Sequence, residues 1–544
     1  MRSVLLSFIV LLSFGFSANA QLTTEGKDFW FGFMQNTQDV RRPSIIDHLP
    51  SNLEVFFTSK ERAQVSVHVF ADGRTLDIVV EPGITLSVLI SKSVYNPYAA
   101  IGSGSIETKA IHVTSDVDIS VYALNRNPHH EDATVILPTP TLGNEYYVIG
   151  HEELGPLNGP KTKSEFLIVA SEDNTRIEIT TSVDADGGFS ANTPKQITLN
   201  RGDIFQVQSD KDLSGTYIKA IGTEPSECKN IAVFGGSQGS SVGYSTAISW
   251  SHLYEQMFPL SAWGENFLYI PYESSQKLGD YVKIMASEDG TKVTISGLDE
   301  DIEMQSGEVV NLEALKGVRT IVSNKPVSMA QLSQSRSYNT FMIMLSPLEQ
   351  RLKAITFGAI RSEKFKNYYL TLITTRDALR DIILDGVDIT NQFIVHGNAA
   401  YASIIIDRGS HSLTAPDGVI AYLNGFDPST WTESIGYSAG VSLKNLNAQL
   451  VMDDETIDGI QREACLNSEI DFAVDFDTAP DEDPPYTVFD WDFGDGQTAS
   501  GQKVKHIYTV AGDYEVTLIA SNGDLRCGEF ETFTRDIRVL NVEV

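Results

Sequence analysis

"ASEDNTRIEI" fills residues 170–179, and "ASEDGTKVTI" fills residues 286–295, 116 positions later. Ala, Ser, Glu, Asp and Thr recur at the same places. Upstream of the first copy, Phe166, Ile168 and Ala170 alternate; downstream, Ile177 and Ile179 alternate. That period of two marks strands with one inward face. Between them, Asp173-Asn174 and Asp289-Gly290 are tight-turn pairs, because Asn and Gly accept positive φ. Each phrase therefore predicts a β-hairpin.

The copies extend well beyond the phrase. "EFLIVASEDNTRIEIT" is followed by "ITLNRGDIFQV", "GTYIKAIG" and "KNIAVFGGSQ". "DYVKIMASEDGTKVTIS" is followed in the same order by "IEMQSGEVVNL", "GVRTIVSN" and "KPVSMAQLSQ". Looser copies begin at "NLEVFFTSKERAQVSVHV" and "NYYLTLITTRDALRDIIL". Four units of about a hundred residues each are expected over residues 52–440. Helical periodicity is nearly absent; "SPLEQRLKA", residues 346–354, is the one stretch that predicts a helix. The fold class is all-β. The repeats fit either a propeller-like ring or tandem sandwiches, and the ring is favoured because closure removes exposed strand edges.

With 544 residues the chain exceeds one hydrophobic core. Its net charge of −32 repels phosphates and anionic lipid, which argues against nucleic acid and membrane surfaces as partners. Arg2, an apolar run from Val4 to Phe16, and Ala18-Asn19-Ala20 form an export signal. The mature chain is expected to begin at Gln21, with no membrane insertion after cleavage. The expected division is a signal peptide at 1–20, a repeat domain at 21–445, an acidic connector at 446–459 and a β-sandwich at 460–544. Export permits disulfides. Cys465 and Cys527 flank the last segment and are expected to pair, leaving Cys228 as a buried thiol.

"FDWDFGDGQTASGQKVKHIYTVAGDYEVTLIASN" resembles the PKD domain, an immunoglobulin-like β-sandwich of extracellular proteins. The matching pieces are Trp491-Asp492-Phe493-Gly494-Asp495-Gly496, His506-Ile507-Tyr508 and Gly512 to Val516. Trp491 is expected in the core, and Gly494-Asp495-Gly496 in a sharp turn. The resemblance implies a spacer or binding module and no catalysis. "GKDFWFGFMQN", "TLGNEYYV", "AWGENF", "ESIGYSAG" and the two hairpin phrases resemble the IgGFc-binding protein family over residues 26–440. That resemblance implies an extracellular adhesive or ligand-binding module. Its pairing with a PKD domain is similar to exported surface proteins of Bacteroidetes-type bacteria.

Several short patterns invite chemistry. "GGSQG", residues 235–239, fits a nucleophile elbow around Ser237, but its counterparts "MAQLSQ" and "AYLNGF" are strand ends and no helix pattern follows. Arg201-Gly202-Asp203 is an integrin-type tripeptide whose glycine a hairpin already requires. His129-His130-Glu131-Asp132 is a tight His–carboxylate cluster without metal-ligand spacing. "DTAPDEDPP", residues 477–485, and Asp453-Asp454-Glu455 offer carboxylates for weak Ca²⁺ binding but no EF-hand loop. Trp263 and Trp431 are either sugar-stacking aromatics or packing residues, and packing is the default. None of these forms a catalytic constellation, and no cofactor is expected. The sequence predicts an exported, non-catalytic binding or adhesion protein whose partner is an extracellular glycan or glycoprotein. A secreted hydrolase using Ser237 and a structural surface spacer are the alternatives.

Overall fold

The computed structural model describes residues 23–36, 51–93, 96–127, 131–152, 162–243, 251–273, 278–334, 339–360, 367–426, 434–443, 448–453, 455–456, 461–476, 486–523, 527 and 530–541. Strands dominate, and the helices among these residues are three-residue 3-10 turns.

The first unit sets the pattern with strands β1 (Glu25–Phe31), β2 (Ser51–Thr58), β3 (Ala63–Val69), β4 (Arg74–Val80), β5 (Leu86–Ser93), β6 (Ile106–Thr108), β7 (Ile111–Arg126) and β8 (Glu131–Ile136). The long β7 serves two layers. Its first part pairs with β3 and β1, and its second part pairs with β2 and β8. The layers run β4-β3-β7-β1 and β5-β2-β7-β8. Val65, Val67 and Val69 point between them while Gln64 faces water, which is the alternation of a half-buried strand.

The next three units repeat this plan. β2 corresponds to Ser164–Ala170, Asp280–Ala286 and Asn367–Thr375; β7 corresponds to Arg319–Leu332 and Gly409–Phe426. In the second unit alone, among the described residues, the β7 counterpart is broken into Tyr217–Ala220 and Ile231–Ser240. The short β6 crosses to the second unit and pairs with Asp203–Ser209, covering what would be an open edge.

The units are sandwiches, and they also close into a ring. β8 packs against its counterparts Ser251–Gln256 and Ser434–Gly440, and Met342–Leu345 packs against the same two. These four central strands are buried along their whole length. Tyr254 N–H donates to the Asp132 carboxylate at 3.1 Å, and Met344 N–H to the Glu255 carboxylate at 3.1 Å. The Tyr122 hydroxyl donates to the Ala439 carbonyl at 2.8 Å. The seam is sewn where the ends of the repeat region meet: Thr24 N–H donates to the Val441 carbonyl at 3.1 Å, and Thr356 N–H to the Glu25 carboxyl at 3.1 Å.

The C-terminal sandwich holds Ala448–Met452, Glu469–Phe476 and Lys503–Ile507 in one sheet. Gln461–Cys465, Phe530–Leu540, Gly512–Ser521 and Val488–Asp492 lie in the other. Trp491, Phe472, Phe493, Tyr508 and Leu518 fill the space between them. Two expectations change. The stretch expected as a connector at 446–459 supplies the strand Ala448–Met452, because Leu450 and Met452 alternate into this core. The helix expected at 346–354 is a turn leading into the strand Leu352–Ala359. Pro347 opens that turn, and the apolar Ile355 and Phe357 alternate inward after it.

Candidate functional site

The repeated phrase forms a corner. Asn174 and Gly290 take positive φ, 57° and 71°, as their hairpins require. The Thr175 hydroxyl donates to the Glu172 carbonyl at 2.8 Å, and Thr291 does the same to Glu288 at 2.7 Å. Asp173 accepts the Arg201 N–H at 3.0 Å; Asp289 accepts the Ser306 N–H at 2.9 Å. Lys229 lies 4.0 Å from Glu172 and Lys325 3.2 Å from Glu288. The Glu-Asp pair thus ties each hairpin to the next turn and to the junction between the two parts of the long strand. These exposed ion pairs contribute about 0–1 kcal/mol each, so they fix geometry more than stability.

Ser237 is not arranged as a nucleophile. It is buried inside the strand Ile231–Ser240, and its hydroxyl meets the Ser240 hydroxyl at 2.7 Å. The neighbouring His252 uses Nδ1 on the Ser237 carbonyl oxygen at 2.8 Å and Nε2 on the Asn125 amide at 3.2 Å. No base therefore reaches the Ser237 hydroxyl through that imidazole.

The Arg201-Gly202-Asp203 tripeptide is used internally. The buried Asp203 carboxylate accepts the Thr108 hydroxyl at 2.7 Å and the Asn200 N–H at 2.9 Å. The Arg201 guanidinium lies 5.1 Å from the Trp30 ring. The motif joins the first two units.

Of the His–carboxylate cluster, His129 and His130 lie outside the described residues. Glu131 and Asp132 are buried in β8, with Glu131 3.0 Å from Arg126. Residues 477–485, Asp454 and Trp431 also lie outside the described residues. Among the described residues no three His, Cys, Asp or Glu side chains are grouped to hold a metal ion. Trp263 is 3% exposed and packs 5.8 Å from Tyr147, as a core residue.

The buried ionisable groups were not visible as a pattern in the sequence. Burial pushes the Glu255 carboxyl up to about 8 and the Glu25 carboxyl up to about 7. Asp132, fully buried, is raised as well. All three sit where units meet. Between the second and third units, Lys283 is completely buried and paired with Asp212. Burial opposes the ionised Asp212 carboxylate, but Lys283 holds it down to about 2. His151 lies beside this pair, its ring 5.3 Å from Tyr281; burial lowers it to about 3, and neither ring nitrogen has a hydrogen-bond partner. One signal was available: Lys283 stands where the other copy of the repeat has Leu167.

The Trp491–Gly496 motif is structural. Trp491 Nε1–H donates to the Gly501 carbonyl at 2.9 Å. Asp492 accepts the Gly494 N–H at 2.9 Å, and Asp495 accepts the Gln497 N–H at 3.0 Å. Gly494 and Gly496 take φ of 76° and 87°. Phe493 stacks on His506 at 4.0 Å, and His506 Nε2 contacts Asp495 at 3.0 Å.

The disulfide differs from the expected one. Cys228 bonds Cys527, with Cα atoms 5.4 Å apart, and Cys465 is a free, exposed thiol. The reason is strand register. Cys465 lies opposite Leu540, at one end of Phe530–Leu540, while Cys527 precedes the other end. At about 3.3 Å per residue that strand alone separates them by roughly 30 Å, far beyond disulfide reach.

Against known proteins, the sequence profile described as IgGFc binding protein matches residues 132–425, and that of the PKD domain matches residues 454–537. The human IgGFc-binding protein is 31% identical over 302 residues, which are 54% of this chain and 5% of the human protein. The chain thus spans about one twentieth of that relative's length. Among solved structures, a tetra-tandem repeat from the extending region of a large adhesion protein is 11% identical, covering 77% of this chain and 95% of that one at a TM-score of 0.11. Trypsin-activated alpha-2-macroglobulin from Escherichia coli is 10% identical, covering 95% and 42% at 0.15. Such scores carry no correspondence of fold. The profile match, by contrast, runs from β8 to the long strand of the fourth unit, through the corners and central strands described above. The chain belongs to the IgGFc-binding protein family.

Proposed function

We propose that this is an exported, non-catalytic binding protein that works in adhesion, with an extracellular glycan or glycoprotein as its ligand. One observation carries the reading: in the repeat region, the serine and the carboxylates that the short motifs offer are spent inside the fold wherever the structure describes them. Ser237, Asp203, Glu131 and Asp132 are all buried. What the ring turns to solvent is corners and sheet faces, which suit recognition of a large partner. The family resemblance and the export signal point the same way. The human relative's name records the Fc region of immunoglobulin G, which enters here as one candidate ligand among several.

The test is a binding screen of the mature chain, residues 21–544, against a glycan array, purified mucins and immunoglobulin G Fc. Saturable binding to a glycan or glycoprotein supports the reading. Absence of binding throughout, or hydrolysis of a substrate lost on Ser237→Ala, overturns it.

A further inference from the structure

The second unit differs from its neighbours at one place. Between Ala220 and Ile231 lie ten residues, whereas three lie between Ser323 and Val327, the positions that match them in strand register. The extra residues break the long strand and carry Cys228, after a 3-10 turn at Pro225–Glu227. The insertion is fitted to the C-terminal sandwich. Besides the disulfide, Cys527 N–H donates to the Gly222 carbonyl at 3.4 Å. A Cβ at Gly222 would lie 2.5 Å from the Glu227 Cβ and 3.2 Å from the Cys527 sulfur, so the site admits no side chain there.

The disulfide closes a covalent loop with a sequence separation of 299 residues. The third and fourth units lie inside it, and so does the exit from the ring at residues 441–443. That exit lies against the entry: Thr23 bridges Ser442, and Thr24 bonds Val441. Without the disulfide, tension between the start of β1 and the end of Phe530–Leu540 pulls entry from exit. The few seam bonds then break one after another. With the disulfide, tension runs through the first two units to Cys228, across to Cys527, and along Phe530–Leu540. That last strand then lies in the covalent line of force: its own backbone carries the load, and its ten pairs with Gly512–Ser521 keep it docked.

We infer that the Cys228–Cys527 bond is a mechanical shunt that diverts tension away from the seam of the ring and leaves the third and fourth units unstressed. The adhesion reading supplies only the origin of tension; the rupture behaviour is independent of any ligand.

The experiment is single-molecule pulling on the full mature chain through tags at its two ends. It compares the oxidised protein, the same protein in dithiothreitol, and the Cys228→Ser/Cys527→Ser variant, the last two checked for retained β circular dichroism. The oxidised chain should extend less at full unfolding by roughly 100 nm, the length of the closed loop. Its first rupture should need more force than in either open form, and opening the bond should add an early, low-force event. Equal first-rupture forces in all three overturn the shunt. So does full extension of the oxidised chain, which would mean that the bond does not form. If reduction and the variant disagree, the variant's fold is at fault, and the reduced wild-type chain decides.

Discussion

Lys283 stands in the third unit where Leu167 stands in the second, and its ammonium is buried against Asp212 of the second unit. One copy of a duplicated strand thus presents a charge where the other presents a hydrocarbon. Burying an ion pair seldom adds net stability, but breaking one is costly. Lys283→Ala should lower unfolding free energy by about 3 kcal/mol, the low end for a buried pair, since Asp212 keeps some solvent contact. The double variant Lys283→Met/Asp212→Leu should recover most of that loss. Urea unfolding of the wild type, Lys283→Met, Asp212→Leu and the double variant as a double-mutant cycle measures the coupling, and additive effects would contradict it.

Buried carboxyls where the units meet make stability depend on pH in an unusual direction. Glu255 and Glu25 have ordinary values of 4.5 and are raised by burial to about 8 and about 7. Between those limits the folded state holds protons that the unfolded state has released. Stability therefore falls as pH rises from about 4.5 to about 8, a trend that His151, lowered to about 3, partly offsets below its ordinary value of 6.5. Urea midpoints should fall steadily from pH 5 to pH 8. Glu255→Gln, neutral at every pH, should flatten that slope; an unchanged slope would place the effect elsewhere.

The tripeptide at Arg201 should not act as an adhesion motif. Asp203→Ala should leave any cell attachment unchanged and cost about 1–2 kcal/mol of stability, because the Thr108 hydroxyl and the Asn200 N–H lose their acceptor. Gly202→Ala should cost about 1–3 kcal/mol, since φ there is +87° and the new methyl would overlap the Phe70 ring. Thermal unfolding measures both, and loss of attachment in Asp203→Ala at full stability would reverse the conclusion.

Thiol chemistry separates the two disulfide assignments. Alkylation of the folded, unreduced chain should label Cys465 alone, and peptide mapping should recover Cys228 linked to Cys527. A labelled Cys228 would restore the pairing expected from the sequence.

The hairpins, the repeats and the C-terminal sandwich were legible because their residues alternate with a period of two and their turns need Asn or Gly. Ring closure was favoured on the general ground that it removes exposed edges, but no residue pattern marked it. The central strands "EDATVI", "SHLYEQ", "MIML" and "SIGYSAG" share no pattern and are covered on both faces, so they lack alternation. The disulfide was misread because two cysteines bracketing a domain in sequence lie at opposite ends of one strand in space. Glu131 and Asp132, which stand beside two histidines in the sequence, belong to the first central strand.

The hydrogen bond from Thr24 to the Val441 carbonyl has a wider consequence. A ring sewn head to tail has no physical first member; the numbering of the four units is a habit of translation. A gene rearranged to start at the third unit, with the old ends fused, would encode the same circle. Evolution could therefore permute the order in which this domain's units are encoded, and relatives whose order looks scrambled would still be the same object.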